Sequence, residues 1–148
     1  IMRIDTDSCF TSGGKALDDW LPSVPDGLDY RANHIGLGSN EWVRGLYDFA
    51  VEYMKKNRIV PANMKLWEHV ESAWRGELGD RTKTLPVFQT NFEVDRVAFF
   101  KRYDVMKWHA ALTEKEPFGV FRYRWGDAQT RVLTMAMFAE EGRISHAK

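Results

Sequence analysis

Three short stretches carry residue types that do chemistry. The first is Asp5-Thr6-Asp7, which follows the apolar run Ile1 to Ile4. Two carboxylates separated by one residue at a strand end can meet one divalent cation and a diphosphate together. Hard cations such as Mg²⁺ and Mn²⁺ take oxygen ligands, often one or two carboxylates plus phosphate. The same three residues also suit a solvated turn or an Asx cap. The second is Thr90-Asn91-Phe92-Glu93. An amide and a carboxylate at the end of a strand lie where α/β sheets bind ligands. Glu93 there can serve as base, nucleophile or sugar-orienting acceptor, or it can open the next helix on the favourable side of its dipole. The third is Arg124-Trp125-Gly126-Asp127. Arg124 suits phosphate or carboxylate, Trp125 suits a sugar face, and Asp127 suits a sugar hydroxyl or the N-cap of a helix.

Positioning these residues requires alternating elements. Ile1 to Ile4 reads as a strand, and Leu28 to Ile35 as a short strand within a loop-rich stretch from 11 to 40. A helix is expected from Asn40 to Asn57, capped by Ser39, with Trp42, Leu46, Phe49 and Tyr53 on one apolar face. A second amphipathic segment, Ala62 to Trp74, turns Met64, Trp67, Val70 and Trp74 inward. Leu85 to Phe92 reads as a buried strand, and Asp95 to Phe100 and Tyr103 to Leu112 as two short helices. Phe118 to Tyr123 alternates as a strand, and Asp127 to Ala139 repeats as an apolar helix. Strands alternating with helices specify an α/β domain.

Composition narrows the function classes. Hydrophobic residues make up 44% and charged residues 28% of 148, as in a globular chain with a core. Twenty-one basic residues face 21 acidic ones, which disfavours general nucleic-acid binding. No apolar run reaches the roughly 20 residues that a membrane span needs. The four His, at 34, 69, 109 and 146, do not pair at i+3 or i+4, so their spacing builds no zinc site. Cys9 stands alone and reads as structural. Both ends look cut, and the chain is read as a fragment of a longer protein.

The order of the motifs resembles one family. Val87 to Val94 with Phe99-Phe100 is similar to an Asn-Phe-Glu strand end followed by a helix with paired aromatics. About thirty residues later, Arg124-Trp125-Gly126-Asp127-Ala128 matches an Arg-Trp-Gly-Asp-Ala core letter for letter. Met2 to Asp7 falls where an Arg-Val-Glu-Pro-Asp segment stands. Together these resemble the yeast-type α-1,2-mannosyltransferases of glycosyltransferase family 15. Asp5-Thr6-Asp7 departs from Glu-Pro-Asp, and Arg122 replaces a Glu ahead of the Arg-Trp-Gly-Asp core.

The resemblance implies a GT-A-type nucleotide-diphospho-sugar transferase fold: Rossmann-like, a mixed sheet flanked by helices, incomplete at both ends. Residues 1–148 would form part of one catalytic domain, from the metal-binding strand onward, without the N-terminal nucleotide-binding strands. The implied reaction is retaining transfer of mannose from GDP-mannose to a mannose-containing glycan, with Mn²⁺ or another divalent cation. Asp5 and Asp7 would face metal and diphosphate, and Glu93 would lie beneath the reacting sugar as nucleophile or ion-pair stabiliser. Asp127 would hold the acceptor, with Asn91, Arg124, Trp125 and Gly126 shaping the substrate site. The family further implies the Golgi or secretory-pathway lumen, a type II membrane parent with an N-terminal anchor absent here, and no nucleic-acid partner. A UDP-sugar donor, or a non-catalytic glycan-binding or scaffold domain that keeps the fold, are the alternatives.

Overall fold

The structure is a computed structural model and describes residues 1–4, 27–32, 34–79 and 83–146. In chain order the strands are β1 (Met2–Ile4), β2 (Tyr30–Ala32), β3 (Ile35–Leu37), β4 (Pro86–Phe88), β5 (Phe92–Asp95) and β6 (Ile144–His146). The helices are α1 (Leu46–Asn57), α2 (Met64–Arg75), α3 (Val97–Phe100), α4 (Tyr103–Glu114), α5 (Gly119–Arg122) and α6 (Asp127–Phe138), with a 3₁₀ turn at Asn40–Val43. Four strands form one sheet in the order β1-β5-β2-β6. β5 runs antiparallel to both neighbours, and β6 runs parallel to β2. β3 and β4 pair antiparallel in a separate two-stranded sheet.

The core is organised around α6. Its residues Val132 to Phe138 are all buried, so this helix presents apolar surface on every side and has to be enclosed. It packs against β4, α2 and α4. The Trp108 indole of α4 donates to Thr134 Oγ1 at 3.0 Å, which satisfies a buried N–H inside the apolar contact.

α1 is shorter than its sequence pattern. Gly45 adopts φ 72°, a left-handed conformation that costs glycine little, and it separates the 3₁₀ turn from the helix. Trp42 therefore leaves the expected apolar face and stands 49% exposed. The buried face is Leu46, Ala50, Tyr53 and Met54, at i, i+4, i+7 and i+8. α2 starts at Asn63, whose Oδ1 accepts the Leu66 N–H, and stops at Gly76. Met64 lies in the exposed first turn of α2 rather than inward, while Trp67, Val70 and Ala73 are buried.

Three expected strands resolve differently. Leu85 to Phe92 splits at Thr90-Asn91, where the chain leaves the small sheet and enters the large one. Leu28 to Ile35 divides in the same way into β2 and β3. Phe118 to Tyr123 is not a strand. Phe118 adopts φ 54° and starts the single turn of α5, because Gly119 lies directly beneath the Trp125 ring, where a Cβ would collide. Val120 and Tyr123 of that stretch, three residues apart as on a helix, pack partly on the core, and Phe121 is outward. The helix from Asp127 matches its pattern, and the mixed α/β architecture with helices against the sheet is the one the motifs specified.

Candidate active site

Strand register assembles the site. Arg3 of β1 lies opposite Glu93 of β5, and Glu93 lies opposite Ala32 of β2. Two residues on, Asp95 lies opposite Tyr30. Directly opposed residues share a face, as do residues two apart on a strand. Arg3, Glu93, Asp95 and Tyr30 therefore converge on one side of the sheet, and Arg131 of α6 reaches the same place.

Glu93 is the centre of this group and is 0% exposed. The Tyr30 hydroxyl donates to Glu93 Oε2 at 2.8 Å, and Arg131 Nη2 donates to Oε1 at 3.0 Å. Arg3 Nη1 contacts Oε1 at a longer 3.5 Å and donates to Asp127 Oδ2 at 2.6 Å. Arg3 thus bridges two carboxylates that are far apart in sequence. A charge taken out of water is tolerated only when paired and hydrogen-bonded, and Glu93 meets both conditions. The split of the expected Leu85 strand also relocates it. Glu93 stands within β5, a central strand, rather than at a strand end or at a helix start.

The surrounding groups are tuned by this centre. Burial, and next the Glu93 carboxylate, raise the Tyr30 hydroxyl well above its ordinary range, so it remains a phenol that donates. For Asp127 burial acts upward, but the Arg3 hydrogen bond and charge and the Ala128 N–H outweigh it and hold the carboxyl below its usual range. Burial, with the Arg131 charge, lowers His109, which favours the neutral imidazole.

Asp95 behaves oppositely. Burial pushes it up to about 6, with Arg131 opposing and Glu93 reinforcing. Its Oδ1 is buried without a hydrogen-bond partner. Because the folded state binds this proton more tightly than an unfolded Asp near 3.9, ionised Asp95 lowers stability above pH 6, and the penalty fades as pH falls from about 6 to about 4. Asp95→Asn is expected to melt higher than the wild type at pH 7, with the difference shrinking steadily towards pH 4. A difference that stays constant over this range in thermal melts would refute the assignment.

The other expected site residues are placed as follows. Asp5 and Asp7 lie outside the described residues, immediately beyond β1. Asn91 occupies the turn before β5, half-buried, with its Oδ1 unpartnered. Arg124 is exposed at φ 56°. Gly126, not Asp127, is the N-cap of α6, and Asp127 is the first helical residue, where its charge faces the positive end of the helix. Its side chain is 52% exposed. Trp125 is 3% exposed, with its indole N–H donating to the Arg44 carbonyl at 2.8 Å and its ring against Phe49 and Gly119. It supports the segment from below, and it also borders a cavity beside Asp127.

Asp127 and Arg131 also border a cavity of about 290 Å³, whose wall includes His109, Thr113, Val120 and Thr130. This space is lined by both hydroxyls and apolar carbons, the mixture that a sugar ring presents in turn. Arg131 was recoverable from the sequence, being four residues after Asp127 on the same helix face. Tyr30 and Arg3 meet Glu93 through strand register, a long-range pairing that the motifs do not encode.

Among the described residues no group of three or more His, Cys, Asp or Glu could hold a metal ion. Glu93 and Asp127 both face guanidinium groups, so the described residues do not themselves fit a cation.

Residues 37–148 match the family model described as glycolipid 2-alpha-mannosyltransferase, of the glycosyltransferase 15 group. The chain belongs to this family. The match takes in Glu93, Asp127 and Arg131. No curated protein matches the sequence significantly. Two solved structures share the fold. Core-mannan synthase A (CmsA/Ktr4) from Aspergillus fumigatus, in its Mn/GDP form, matches at TM-score 0.66 and 20% identity, covering 89% of this chain and 34% of that one. The mannosyltransferase Ktr4p from S. cerevisiae matches at TM-score 0.69 and 20% identity, covering 88% of this chain and 33% of that one. The chain spans about a third of the length of each. The expected nucleotide-sugar-transferase architecture, a mixed sheet flanked by helices, is the one shared with these mannosyltransferases.

Proposed function

We propose that the protein carrying this chain is a retaining mannosyltransferase that moves mannose from GDP-mannose to a mannose-containing glycan. The observation that carries the reading is the enclosed Glu93 carboxylate, joined through Arg3 to the exposed Asp127 within the family match. An anion fixed in a water-poor site stabilises the positive charge that develops on a sugar carbon as its leaving group departs. Both Glu93 oxygens already accept hydrogen bonds, which favours an electrostatic stabiliser over a covalent nucleophile. Opening Glu93 towards the sugar requires movement of Arg3, the most distant and most exposed of its partners.

Asp127, at the mouth of the cavity and held deprotonated by Arg3, would accept a hydrogen bond from the acceptor hydroxyl. Asn91, whose buried amide oxygen lacks a partner, would shape the donor side, Arg124 and Gly126 would shape the entrance, and Trp125 would hold that segment from beneath and border the cavity. Asp5 and Asp7 would hold Mn²⁺ and the diphosphate; the Mn/GDP form of the Aspergillus relative supports this choice of metal and nucleotide. When bound, the ion would neutralise charge on the departing diphosphate. Residues 1–148 would be one part of a single catalytic domain, and the parent would be a Golgi-lumen enzyme with an N-terminal membrane anchor.

The metal assignment has a direct test in the full-length protein. Asp5→Ala and Asp7→Ala should each weaken Mn²⁺ binding in calorimetry by about tenfold or more, since losing even an outer-shell partner costs that much. Unchanged Mn²⁺ affinity in both variants would remove Asp5 and Asp7 from the metal site.

A further inference from the structure

The three partners of Glu93 are not equivalent. Arg131 extends from α6, the most enclosed helix, and its side chain is 17% exposed. Its guanidinium lies 4.6 Å from the Phe100 ring centroid and 5.7 Å from that of Tyr30. Planar guanidinium groups stack on aromatic faces, and here two rings limit its tilt. Tyr30 is itself 0% exposed and packs on Phe88 with centroids 4.9 Å apart. Arg3 differs on each count. It comes from the outermost strand β1, is 38% exposed, and lies closer to Asp127 than to Glu93.

We infer that Arg131 and Tyr30 are positioning residues that clamp one oxygen each of the Glu93 carboxylate, fixing its orientation and charge pairing while Arg3 remains exchangeable. The inference rests on the mannosyl-transfer reading for its catalytic consequence, though not for the clamp itself. Tyr30 supplies a neutral hydrogen bond to Oε2, and Arg131 a charged one to Oε1. The clamp therefore leaves Oε2 the more electron-rich oxygen once Arg3 has moved. The other groups facing this centre are Asp95 from β5 and Asp127 from α6, with His109 of α4 close to Arg131.

The test compares Arg131→Met, Arg131→Lys and Tyr30→Phe in the full-length, Mn²⁺-loaded protein. Arg131→Met should lower kcat about 100-fold with KM for GDP-mannose nearly unchanged, the pattern of an interaction felt only in the transition state. Removing an adjacent positive charge raises a carboxyl's pKa, so the acidic limb of the kcat–pH profile should move upward by about one unit. Arg131→Lys, which keeps a cation without the planar contact, should restore much of the limb position and part of kcat. It also serves where the Met variant fails to fold. Tyr30→Phe should lower kcat by about tenfold. Losses that only track the folded fraction, with the acidic limb in place, would overturn the clamp. Absence of transfer by the wild type would count against the mannosyl-transfer reading instead. The clamp would then be read from the ¹³C resonance of the labelled Glu93 carboxyl at one fixed pH, which must move in both Arg131→Met and Tyr30→Phe; an unmoved resonance overturns it.

Discussion

Glu93→Gln is expected to abolish most mannosyl transfer while leaving a folded protein that still binds GDP. The substitution keeps the shape and one acceptor oxygen: with that oxygen on Arg131, the amide N–H faces Tyr30, whose hydroxyl must then accept instead of donate. The charge is lost, and removing a single preorganised electrostatic group from an active site lowers kcat by about 10²- to 10³-fold. The same change leaves the Arg131 guanidinium, 17% exposed, without its full counter-ion. Breaking a buried pair from one side costs about 3 kcal/mol or more, so the variant should also melt measurably lower. The two effects are separable. Activity is compared at a temperature well below both transitions, with GDP binding measured on the same preparation. A folded Glu93→Gln protein that transfers mannose at the wild-type rate would remove Glu93 from the mechanism.

Trp125→Ala is expected to act on stability, not on sugar recognition. Trp125 fills the space beneath the turn that presents Arg124, Gly126 and Asp127, and its N–H bonds the Arg44 carbonyl on the opposite wall. Truncating a buried Trp costs about 3–5 kcal/mol through lost burial and the cavity left behind. Trp125→Phe retains much of the packing and loses the hydrogen bond, a net change of about 1 kcal/mol before repacking. Denaturant midpoints should fall in that order. The acceptor KM of whatever remains folded should stay close to the wild-type value. A Trp125→Phe variant with unchanged stability and a sharply raised acceptor KM would show the indole to be a sugar platform after all.

The motifs were more legible in the sequence than the contacts that bring them together. Glu93 and Asp127 stand in motifs with specific neighbours, and the helix after Asp127 is apolar enough to declare itself from periodicity. The position of Glu93 within its strand was not legible. Leu85 to Phe92 reads as one apolar run, and the change of sheet at Thr90-Asn91 depends on which partner strand each half finds. Trp125 shows the same limit. Its type suits a sugar platform, but the burial of its ring against Gly119 and its bond to the Arg44 carbonyl, 81 residues away, are in no local pattern. Tyr30 and Arg3 illustrate the remaining gap. Tyr30 stands in no motif and Arg3 only within the Met2 to Asp7 segment, and both reach Glu93 because β5 lies between β1 and β2. The false strand at Phe118 to Tyr123 arose because aromatic and β-branched residues favour strands on average, whereas here the backbone had to clear the Trp125 ring.

The most direct test of the account is transfer from GDP-mannose to a simple mannoside by the full-length protein, with Mn²⁺ removed by a chelator and then restored. Transfer should stop without the metal, return with it, and yield an α-linked product of retained configuration by NMR. A folded protein that binds GDP and Mn²⁺ yet transfers no mannose, or gives the inverted anomer, would contradict it.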